Sequence, residues 1–437
     1  MRRPRDTRSR NLRSQVDALS RNCIRIVLAG FLLGCSGSGP GGADSAWIGD
    51  SLPPRTNATR LTTIDATGWS GIPIVSPLPT VIIGTGLHGP DDELGWVSGV
   101  AVDAARHIYV ADPASTRIRV YSADGTFIRD IGRKGQGPGE FSALHGEQGG
   151  RAVNGIAISN DTLFAIDARL MAFDTSGALL YSTDPDVGYN TAASVTASER
   201  GLIVDRRISL ENVRVRLQFN VYDPASDAEK PWFSALERFL DFGNQRLLFR
   251  KPTPLPELPF TIARNGRAYM ATGDSFHITV IGDAGYVERE YVAAVGRVKV
   301  SDEDVRDVGT NLERLVRERT TIIEMPALAA MIERGPRAVY RSAIGALVVS
   351  DEGALLVQRP DVSQRPYDKY HAGAEIEWIA LDSTGAATGR VSLPGGFQAR
   401  VLSGSRLYGV DEQDDGAQLV VMYDLQQIVS CEQRAGS

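Results

Sequence analysis

The body of the chain is built from short runs in which apolar and polar residues alternate. Residues 99–132, GVAVDAARHIYVADPASTRIRVYSADGTFIRDIG, contain four such runs separated by short turns. A period of two is typical of a β-strand with one buried face, and Asp124-Gly125 is a strong signal for a hairpin turn. The segment therefore predicts four antiparallel strands joined by tight connections.

The same unit recurs along the chain. The second-strand pattern returns as IYVAD (108–112), LFAID (163–167), LIVDR (202–206), AYMATGD (268–274), LLVQR (355–359) and LYGVD (407–411). The third strand and its turn return as YSADG (121–125), FDTSG (173–177), YDPAS (222–226), IGDAG (281–285) and LDSTG (381–385), with a weaker copy in MYDL (422–425). Six four-stranded units fit a β-propeller better than a sandwich, because a closed ring of blades leaves few exposed strand edges. We predict an all-β, six-bladed β-propeller over residues 76–430.

The two ends of this region complement each other. The last unit lacks a clear fourth strand after Tyr423-Asp424, whereas TVIIG (80–84) reads as a strand without a unit. We expect the N-terminal strand to complete the last blade and so close the ring.

With that closure, IIGTGLHGP (82–90) and IGRKGQGPGEF (131–141) occupy equivalent places between two blades. The glycine-rich segment could also suggest a phosphate-binding loop. Such loops lead into a helix N-terminus that offers amide donors, but nothing after Gly139 reads as a helix and Pro138 has no amide hydrogen. We therefore interpret the segment as a joint between blades.

Residues 301–334 interrupt the β pattern between the fourth and fifth blades. Ser301 and Asp304 are spaced as a capping box at the start of a helix. The apolar residues that follow have helical spacing: Val305, Val308, Leu312 and Leu315. We predict a helical insertion, which would be either a packing appendage or a functional lid.

The segments GVAVD, HIYVAD and RIRVYSADG (99–125) resemble NHL-type repeats of six-bladed propellers. The resemblance is strong over residues 99–177 and weaker in the third to fifth units. That family includes both binding scaffolds and enzymes, so the resemblance implies an architecture and leaves the function open.

The N-terminus predicts a targeting signal. An arginine-rich start precedes the apolar run 26–33, which is too short to span a bilayer as a helix. LLGC (32–35) resembles the lipobox of bacterial lipoproteins, which implies cleavage of a signal peptide (1–34) and lipidation of Cys35. An ordinary secretory signal that happens to contain a cysteine is the alternative.

Residues 36–60 are rich in Ser, Gly and Pro, so we expect 35–75 to be a flexible tether. By the same resemblance, Ser36 after the cysteine favours the outer membrane, with the protein facing the periplasm or the cell surface. Residues 431–437 are predicted to be a short tail.

The charge distribution excludes one class of partner. Residues 1–34 contain eight Arg and two Asp, so the formal charge of −6 for the whole chain leaves −12 for the remainder. An acidic body argues against nucleic-acid binding, which depends on basic surfaces. The cysteines Cys23, Cys35 and Cys431 are too few for a disulfide framework.

Candidate chemistry is sparse. None of the five histidines lies in a zinc-binding motif, although His88 and His145 fall in the two inter-blade segments. Arg133 and Lys134 are absent from the equivalent segment 82–90, so the joint does not require them and they could contact an acidic ligand. Asp112, Asp167 and Asp411 end three second strands, where we expect them to accept hydrogen bonds from turn amides.

Asn154-Gly155 before IAISNDTLFAID is similar to the NGL stretch of the gluconolactonase and senescence-marker family. The resemblance implies a divalent cation such as calcium, held on the propeller axis by Asn154 and carboxylates. Only Asn154 matches that family; Glu93, Asp205 and Asp411 are the available carboxylates. A turn-capping role for Asn154 is the simpler interpretation.

We therefore predict a membrane-anchored, extracytoplasmic lipoprotein whose propeller binds a peptide, glycan or protein partner, without a cofactor. The candidate ligand-binding residues are Arg133, Lys134, His145 and Asn154. The alternative is a metal-dependent hydrolase or lyase of the gluconolactonase-like type, with Asn154, Asp205 and Asp411 as metal ligands. A purely structural envelope protein is a third possibility.

Overall fold

A computed structural model gives the structure of the chain. It describes residues 52–86, 93–141, 153, 155–167, 169–183, 194–210, 214–223, 226, 228–238, 259–271, 275–307, 339–361, 374–413 and 416–429. For residues 205–210, 214–216, 236–238, 427 and 429 it describes the backbone alone.

The strands form six antiparallel blades that follow one another along the chain, and in blades 1 to 5 the four strands of the repeat lie in sequence order. An N-terminal segment contributes β1 (Arg55–Ile64), β2 (Ile74–Val75) and β3 (Val81–Ile83). Blade 1 contains β4 (Gly99–Val102), β5 (Ile108–Asp112), β6 (Arg117–Tyr121) and β7 (Phe127–Ile131). Blade 2 contains β8 (Gly155–Ser159), β9 (Thr162–Ile166), β10 (Leu170–Asp174) and β11 (Leu179–Thr183). Blade 3 contains β12 (Ser194–Ser198), β13 (Gly201–Leu210), β14 (Arg214–Asp223) and β15 (Ala228–Arg238).

The second half of the ring repeats this arrangement. Blade 4 contains β16 (Phe260–Ile262), β17 (Ala268–Ala271), β18 (Phe276–Ile281) and β19 (Val287–Ala293). Blade 5 contains β20 (Ala346–Val349), β21 (Leu355–Arg359), β22 (Glu375–Leu381) and β23 (Ala387–Pro394). Blade 6 contains β24 (Phe397–Ser403), β25 (Arg406–Glu412) and β26 (Gln418–Asp424). The predicted six-bladed, all-β architecture is confirmed.

The ring is closed by the N-terminal strand, as the sequence predicts. Strand β3 pairs antiparallel with β26, with Ile82 opposite Val421. Ile83 is buried against blade 6 and blade 1, in a cluster that contains Val110 and Tyr408. The last blade is therefore assembled from both ends of the chain.

The apolar core lies between the blades. Six buried clusters each join residues of two neighbouring blades, from blades 1 and 2 round to blades 6 and 1. In the first of these, Tyr109 and Ile131 of blade 1 pack with Leu163 and Phe173 of blade 2. A single blade buries neither face by itself, so the six units stabilise one another as a ring.

The structure corrects the expected tether between residues 55 and 75. These residues lie against the outer edges of two blades, where β1 pairs parallel with β19 and β2 pairs parallel with β23. Blades 4 and 5 therefore have five strands. We call residues 52–75 the N-terminal arm. Pairing through backbone groups at a sheet edge needs no apolar pattern, which is why a segment with few apolar residues can be ordered here.

One aromatic side chain fixes the N-terminal arm to the ring. Trp69 is only 4% exposed and packs on Phe276 of blade 4. Arg390 of blade 5 donates hydrogen bonds to the carbonyls of Trp69 (3.1 Å) and Ile72 (2.9 Å). The guanidinium of Arg359 lies 4.6 Å from the centre of the Trp69 ring. The arm is thus held by side chains as well as by strand pairing.

The start of the helical insertion is also confirmed. A helix covers residues 302–307. The Ser301 amide donates to Asp304 Oδ2 (2.9 Å), and the Asp304 amide donates to Ser301 Oγ (3.1 Å), which is the predicted capping box. Arg341 donates two further hydrogen bonds to the buried Asp304 carboxylate. The rest of the predicted insertion, residues 308–334, lies outside the described residues.

Candidate functional site

The strand order gives the ring two unlike faces. In an antiparallel blade, the connections from first to second strand and from third to fourth strand lie at one end, and all other connections lie at the opposite end. At the first end every connection is five residues or shorter, as in 350–354 and 382–386. At the other end they include 132–154, 239–259, 294–345 and 360–374. We call these the short-turn face and the long-connection face.

The short-turn face is formed by repeated turns. In blades 2 and 5 an aspartate accepts the amides of the turn that follows: Asp174 from Ser176 and Ala178, and Asp382 from Thr384 and Ala386, each at 2.9 Å. The turn glycines Gly125, Gly177, Gly285 and Gly385 all have positive φ. These carboxylates are used within the turns, so the short-turn face carries scaffold chemistry.

These turns also link neighbouring blades. The outer strand of one blade donates hydrogen bonds to turn carbonyls of the next. Arg129 donates to Thr175 O, Trp232 Nε1 to Gly282 O (2.9 Å), and Arg289 Nη1 to Ser383 O (2.7 Å). The repetition of this contact explains why the turns keep their length around the ring.

The glycine-rich segment 131–141 lies on the long-connection face, between blades 1 and 2. Its amides are used inside the segment: Gly135 donates to Phe141 O (3.0 Å), Phe141 to Arg133 O (2.8 Å), and Gly137 to Glu140 Oε2 (2.8 Å). Gly132 has a φ of +76° and would place a Cβ 2.3 Å from the Phe141 ring. A phosphate loop needs outward amides, so this arrangement agrees with a joint between blades.

The carbonyls of the same segment are bound by an arginine that sequence reasoning missed. Arg169 of blade 2 donates to the carbonyls of Gln136 and Gly137 (3.2 Å each) and of Glu140 (2.8 Å). The Arg169 guanidinium also donates to Asp167 Oδ2 at 3.2 Å, and the Arg169 backbone amide donates to Asp167 Oδ1 at 2.7 Å. A polar residue directly after a second strand is a weak sequence signal, because it gives no indication of a contact with a loop about thirty residues earlier.

Arg133 and Lys134 are both exposed on the long-connection face. Arg133 has a side chain 79% exposed and donates to Glu140 at 2.9 Å. The Gly137 amide, and after it Arg133, lower the pKa of Glu140 below its ordinary value. Lys134 forms a backbone bridge to Phe141. A ligand contact of either side chain stays a prediction.

The predicted role of the strand-ending aspartates is confirmed for two of them. Asp112 is buried and accepts the amides of Trp96 (3.2 Å) and Ala114 (3.1 Å). Asp167 accepts the amide of Arg169. Asp411 instead accepts a hydrogen bond from the Gln413 side chain at 3.0 Å, and burial raises its pKa.

The other predicted site residues are not brought together by what the structure describes. Cys35, His145 and Asn154 lie outside the described residues. Asp205 is placed by its backbone in β13 and Asp411 lies in β25 on another blade, while Glu93 is exposed. Within the described residues, no group of three His, Cys, Asp or Glu side chains is placed to hold a metal ion. The described residues also contain no helix long and apolar enough to cross a membrane.

Blade 3 departs from its neighbours on the long-connection face. Its strands β13, β14 and β15 have 10, 10 and 11 residues, compared with 5 in β9, β10 and β11. Pairing continues past Val204 and Asn220 to Leu210, Arg214 and Arg238. The sequence prediction ended this second strand at 206, although the alternation in RISLENVRVRL (207–217) could have indicated the longer hairpin.

Comparison with known proteins supports the fold. The family model DUF5128, described as a 6-bladed beta-propeller, matches residues 91–213, which include blades 1 and 2 and part of blade 3. No curated protein matches the chain by sequence.

Several solved structures are similar over most of the chain. A candidate exported protein of Bacteroides fragilis is 12% identical, with 83% of this chain and 99% of that one covered and a TM-score of 0.43. A gluconolactonase of Xanthomonas campestris is 12% identical, with coverages of 89% and 98% and a TM-score of 0.39. A calcium-binding regucalcin of Agrobacterium tumefaciens is 12% identical, with coverages of 83% and 96% and a TM-score of 0.38. At these values the likeness carries no information on activity.

Proposed function

We propose that the protein is a lipid-anchored, extracytoplasmic binding module that takes a partner on its long-connection face. The observation that carries this proposal is the contrast between the two faces. On the short-turn face, carboxylates and amides form repeated hydrogen bonds within the scaffold. On the long-connection face, the connections between strands differ in length and composition from blade to blade. Binding residues on propellers and other scaffolds concentrate in such variable connections, which a rigid frame positions.

The exposed groups on the two faces support the same choice. Arg133 and Lys134 on the long-connection face are not required by the joint, because its frame is made by glycines, Glu140 and Arg169. On the short-turn face the half-buried Asp174 already accepts hydrogen bonds from its own turn. Arg133, although paired with Glu140, and Lys134 are both exposed and therefore accessible to a partner, which is a peptide, glycan or protein.

The anchor part of the proposal rests on the sequence LLGC (32–35). Lipidation of Cys35 would tie the propeller to the outer membrane. Its test is incorporation of labelled palmitate into the full-length chain expressed in a Gram-negative host. We expect Cys35→Ala to abolish labelling and to release the protein into the soluble envelope fraction. Labelling that survives Cys35→Ala would refute the anchor and leave the binding face untouched.

The binding face is tested with a photo-crosslinking amino acid in living cells. We would place p-benzoylphenylalanine at Lys134 and Gln136 on the long-connection face, and at Ala123 and Thr175 on the short-turn face as matched exposed controls. We expect light-dependent adducts from the first pair and none above background from the second. Equal yields from both faces, or no adduct at any position, would overturn the proposal.

A further inference from the structure

The chain enters the ring at the short-turn face. The amide of Val287, directly after the turn between β18 and β19, donates to the Pro54 carbonyl at 3.2 Å. Leu52 packs on the apolar cluster between blades 3 and 4. From there the N-terminal arm runs towards the long-connection face, because β1 is parallel to β19. The chain that precedes residue 52, including Cys35, is therefore joined to the short-turn end of blade 4.

The length of the tether limits which face can meet a bilayer. In the proposed lipoprotein, residues 36–51 separate the lipid from the ring, and a Gly- and Ser-rich segment of that length spans roughly 22 Å on average. The outer strand β19 has 7 residues and is itself roughly 23 Å long. To bring the long-connection face to the bilayer, most of the tether would have to pass along the side of blade 4. The tether therefore leaves the short-turn face nearest to the lipid.

Exposed apolar side chains lie at the same face. Four occupy one repeated position, the short-turn end of the fourth strand of a blade: Leu78 (84% exposed) before β3, Phe127 (49%) in β7, Leu180 (54%) in β11 and Tyr286 (49%) before β19. We call these four residues the apolar rim. The fourth strands of blades 3 and 5 begin with alanine, so the ring does not need a large apolar residue at this position. Among the described residues, no large apolar side chain is exposed in a connection of the long-connection face.

The turns beside the apolar rim carry negative charge. They connect the third and fourth strands of blades 1, 2, 4 and 5, and each contains one aspartate and neither lysine nor arginine: 122–126, 174–178, 282–286 and 382–386. These carboxylates repel anionic headgroups, whereas a zwitterionic headgroup has no net charge. Leucine and phenylalanine side chains prefer the apolar side of the headgroup region, and a tyrosine ring can keep its hydroxyl at the headgroups. The residue types therefore favour a neutral phospholipid surface over an anionic one.

We propose that the short-turn face lies against a bilayer of neutral phospholipid, with the apolar rim at the boundary between headgroups and acyl chains. This inference rests on the proposed lipid anchor and adds the orientation of the ring to it. A tether raises the effective concentration of the rim at the bilayer to the order of millimolar, so the rim contact need not hold the protein by itself. In this orientation the long-connection face points away from the membrane, where a partner can reach it.

The test measures how close each face lies to lipid. The lipidated protein with Cys431→Ser is reconstituted in phosphatidylcholine vesicles that contain a spin label on the headgroup. A fluorescent NBD probe is attached to one introduced cysteine, Ala123→Cys or Ala284→Cys on the short-turn face and Lys134→Cys or Gln136→Cys on the long-connection face; all four positions are exposed. We expect quenching of the first two probes and none above background for the other two. Equal quenching on both faces, stronger quenching on the long-connection face, or none at any position would overturn the orientation.

Variants of the apolar rim show whether its side chains make the contact. Phe127→Ser with Tyr286→Ser removes two rings from the rim, and Leu61→Ser with Ile74→Ser removes two exposed apolar side chains from the N-terminal arm. We expect the rim pair to reduce quenching of the probe at residue 123 by at least about half, because apolar area is no longer removed from water. The control pair should leave quenching unchanged. Unchanged quenching in the rim pair, or an equal reduction in the control pair, would contradict the inference.

The two leucines of the rim provide a second pair of substitutions. Circular dichroism melts establish whether each variant folds, and Leu78→Ser with Leu180→Ser replaces the first rim pair if that pair does not. The same reduction in quenching is expected, since both leucines are more than half exposed.

The headgroup class is tested by replacing half of the phosphatidylcholine with phosphatidylglycerol. We expect quenching on the short-turn face to fall at 50 mM NaCl and to recover at 300 mM NaCl, because salt screens the repulsion between the turn aspartates and the anionic lipid. Quenching that increases with phosphatidylglycerol would overturn the neutral headgroup.

These measurements separate the inference from the proposed function. Palmitate labelling that depends on Cys35, together with equal quenching on both faces, would overturn the orientation and leave the anchor standing. Labelling that survives Cys35→Ala would remove the tether at this position and overturn the anchor together with the orientation. Crosslinked adducts from Lys134 or Gln136 report on the binding face in either case.

Discussion

The two faces of the ring show how one repeated unit serves different ends. On the short-turn face, turns of five residues or fewer recur with glycines of positive φ, and their carbonyls bind the preceding blade. On the long-connection face, connections range from 395–396 to 294–345. A short turn that also touches the next blade has little room to change, whereas the cost of lengthening a connection rises slowly with length. Contacts between blades therefore constrain the turns of one face and leave the connections of the other face free to vary.

The largest expected effect comes from breaking the ring at its closure. On the short-turn face, blade 6 has no chain connection between its third and fourth strands, because β3 arrives from the N-terminus. Deletion of residues 76–86 removes the buried Val81 and Ile83 and exposes the edge of β26. We expect loss of the cooperative unfolding transition, measured by circular dichroism. Leu78→Ser, at a position 84% exposed, is the control and should melt like the wild type.

A cooperative melt of the deleted chain near the wild-type temperature would show that the ring stays folded without its last strand. The turns of the short-turn face would then not depend on closure of the ring by β3. The structural constraint that we assign to this face would be refuted.

The next effect compares two turn glycines on the short-turn face. Gly385 and Gly353 have φ of +91° and +88°, but a Cβ on Gly385 would lie 2.8 Å from the Tyr291 ring, whereas none of the atoms around Gly353 comes within 4 Å. We expect Gly385→Ala to lower the free energy of unfolding by about 3 kcal/mol and Gly353→Ala by about 1 kcal/mol. Urea unfolding of both variants measures the difference. Equal losses would mean that contact between blades does not constrain these turns.

The third effect compares two arginines on the long-connection face, one that binds the joint and one that is exposed. Arg169 binds three carbonyls of the joint with a largely buried guanidinium, whereas the pair of Arg133 with Glu140 is exposed. We expect Arg169→Gln to cost about 2 kcal/mol, because three carbonyls of the joint and the buried Asp167 lose their partner. Arg133→Gln should cost less than about 0.5 kcal/mol. Urea unfolding measures both losses. Similar losses for the two variants would show that Arg169 stabilises the joint no more than the exposed Arg133 does.

The smallest expected effect is the acid sensitivity of the contact between the N-terminal arm and blade 4. Burial raises the pKa of Glu290. The hydrogen bonds from Arg55 (2.6 Å) and His277 (2.9 Å) together lower it by more than burial raises it, so the pKa lies below its ordinary value. A lowered pKa in the folded state stabilises the fold above the unfolded value of about 4.3, and this contribution is lost as the pH falls through the folded value. Wild type should therefore lose more of its free energy of unfolding than Glu290→Gln between pH 6 and pH 3.

Urea unfolding at several pH values gives this difference, and Glu288→Gln, on the same strand but paired with Arg267, is the control. A parallel decline of wild type and Glu290→Gln would show that the arm is not held by the ionised carboxylate.

Much of the ring could be predicted from local patterns. The alternation in 99–132, the turn at Asp124-Gly125 and the unpaired strand 80–84 predict four-stranded blades and their closure, and each is confirmed. The capping box at Ser301 and Asp304 is confirmed as well. The blades and the capping box depend on residues close in sequence, whose spacing follows from the strand period and from turn stereochemistry. The closure joins distant segments, but it could be predicted because the last unit lacks a strand and strand 80–84 lacks a unit.

The repeated unit, the number of units and the closure of the ring thus follow from the amino-acid sequence alone. The pairing of residues 55–75 with blades 4 and 5 and the contact of Arg169 with the joint are visible only in the folded chain. Each of these joins segments distant in sequence. Backbone pairing at an edge strand and a guanidinium that binds carbonyls leave no periodic mark in the sequence, because the contacted groups are main-chain atoms that every residue has.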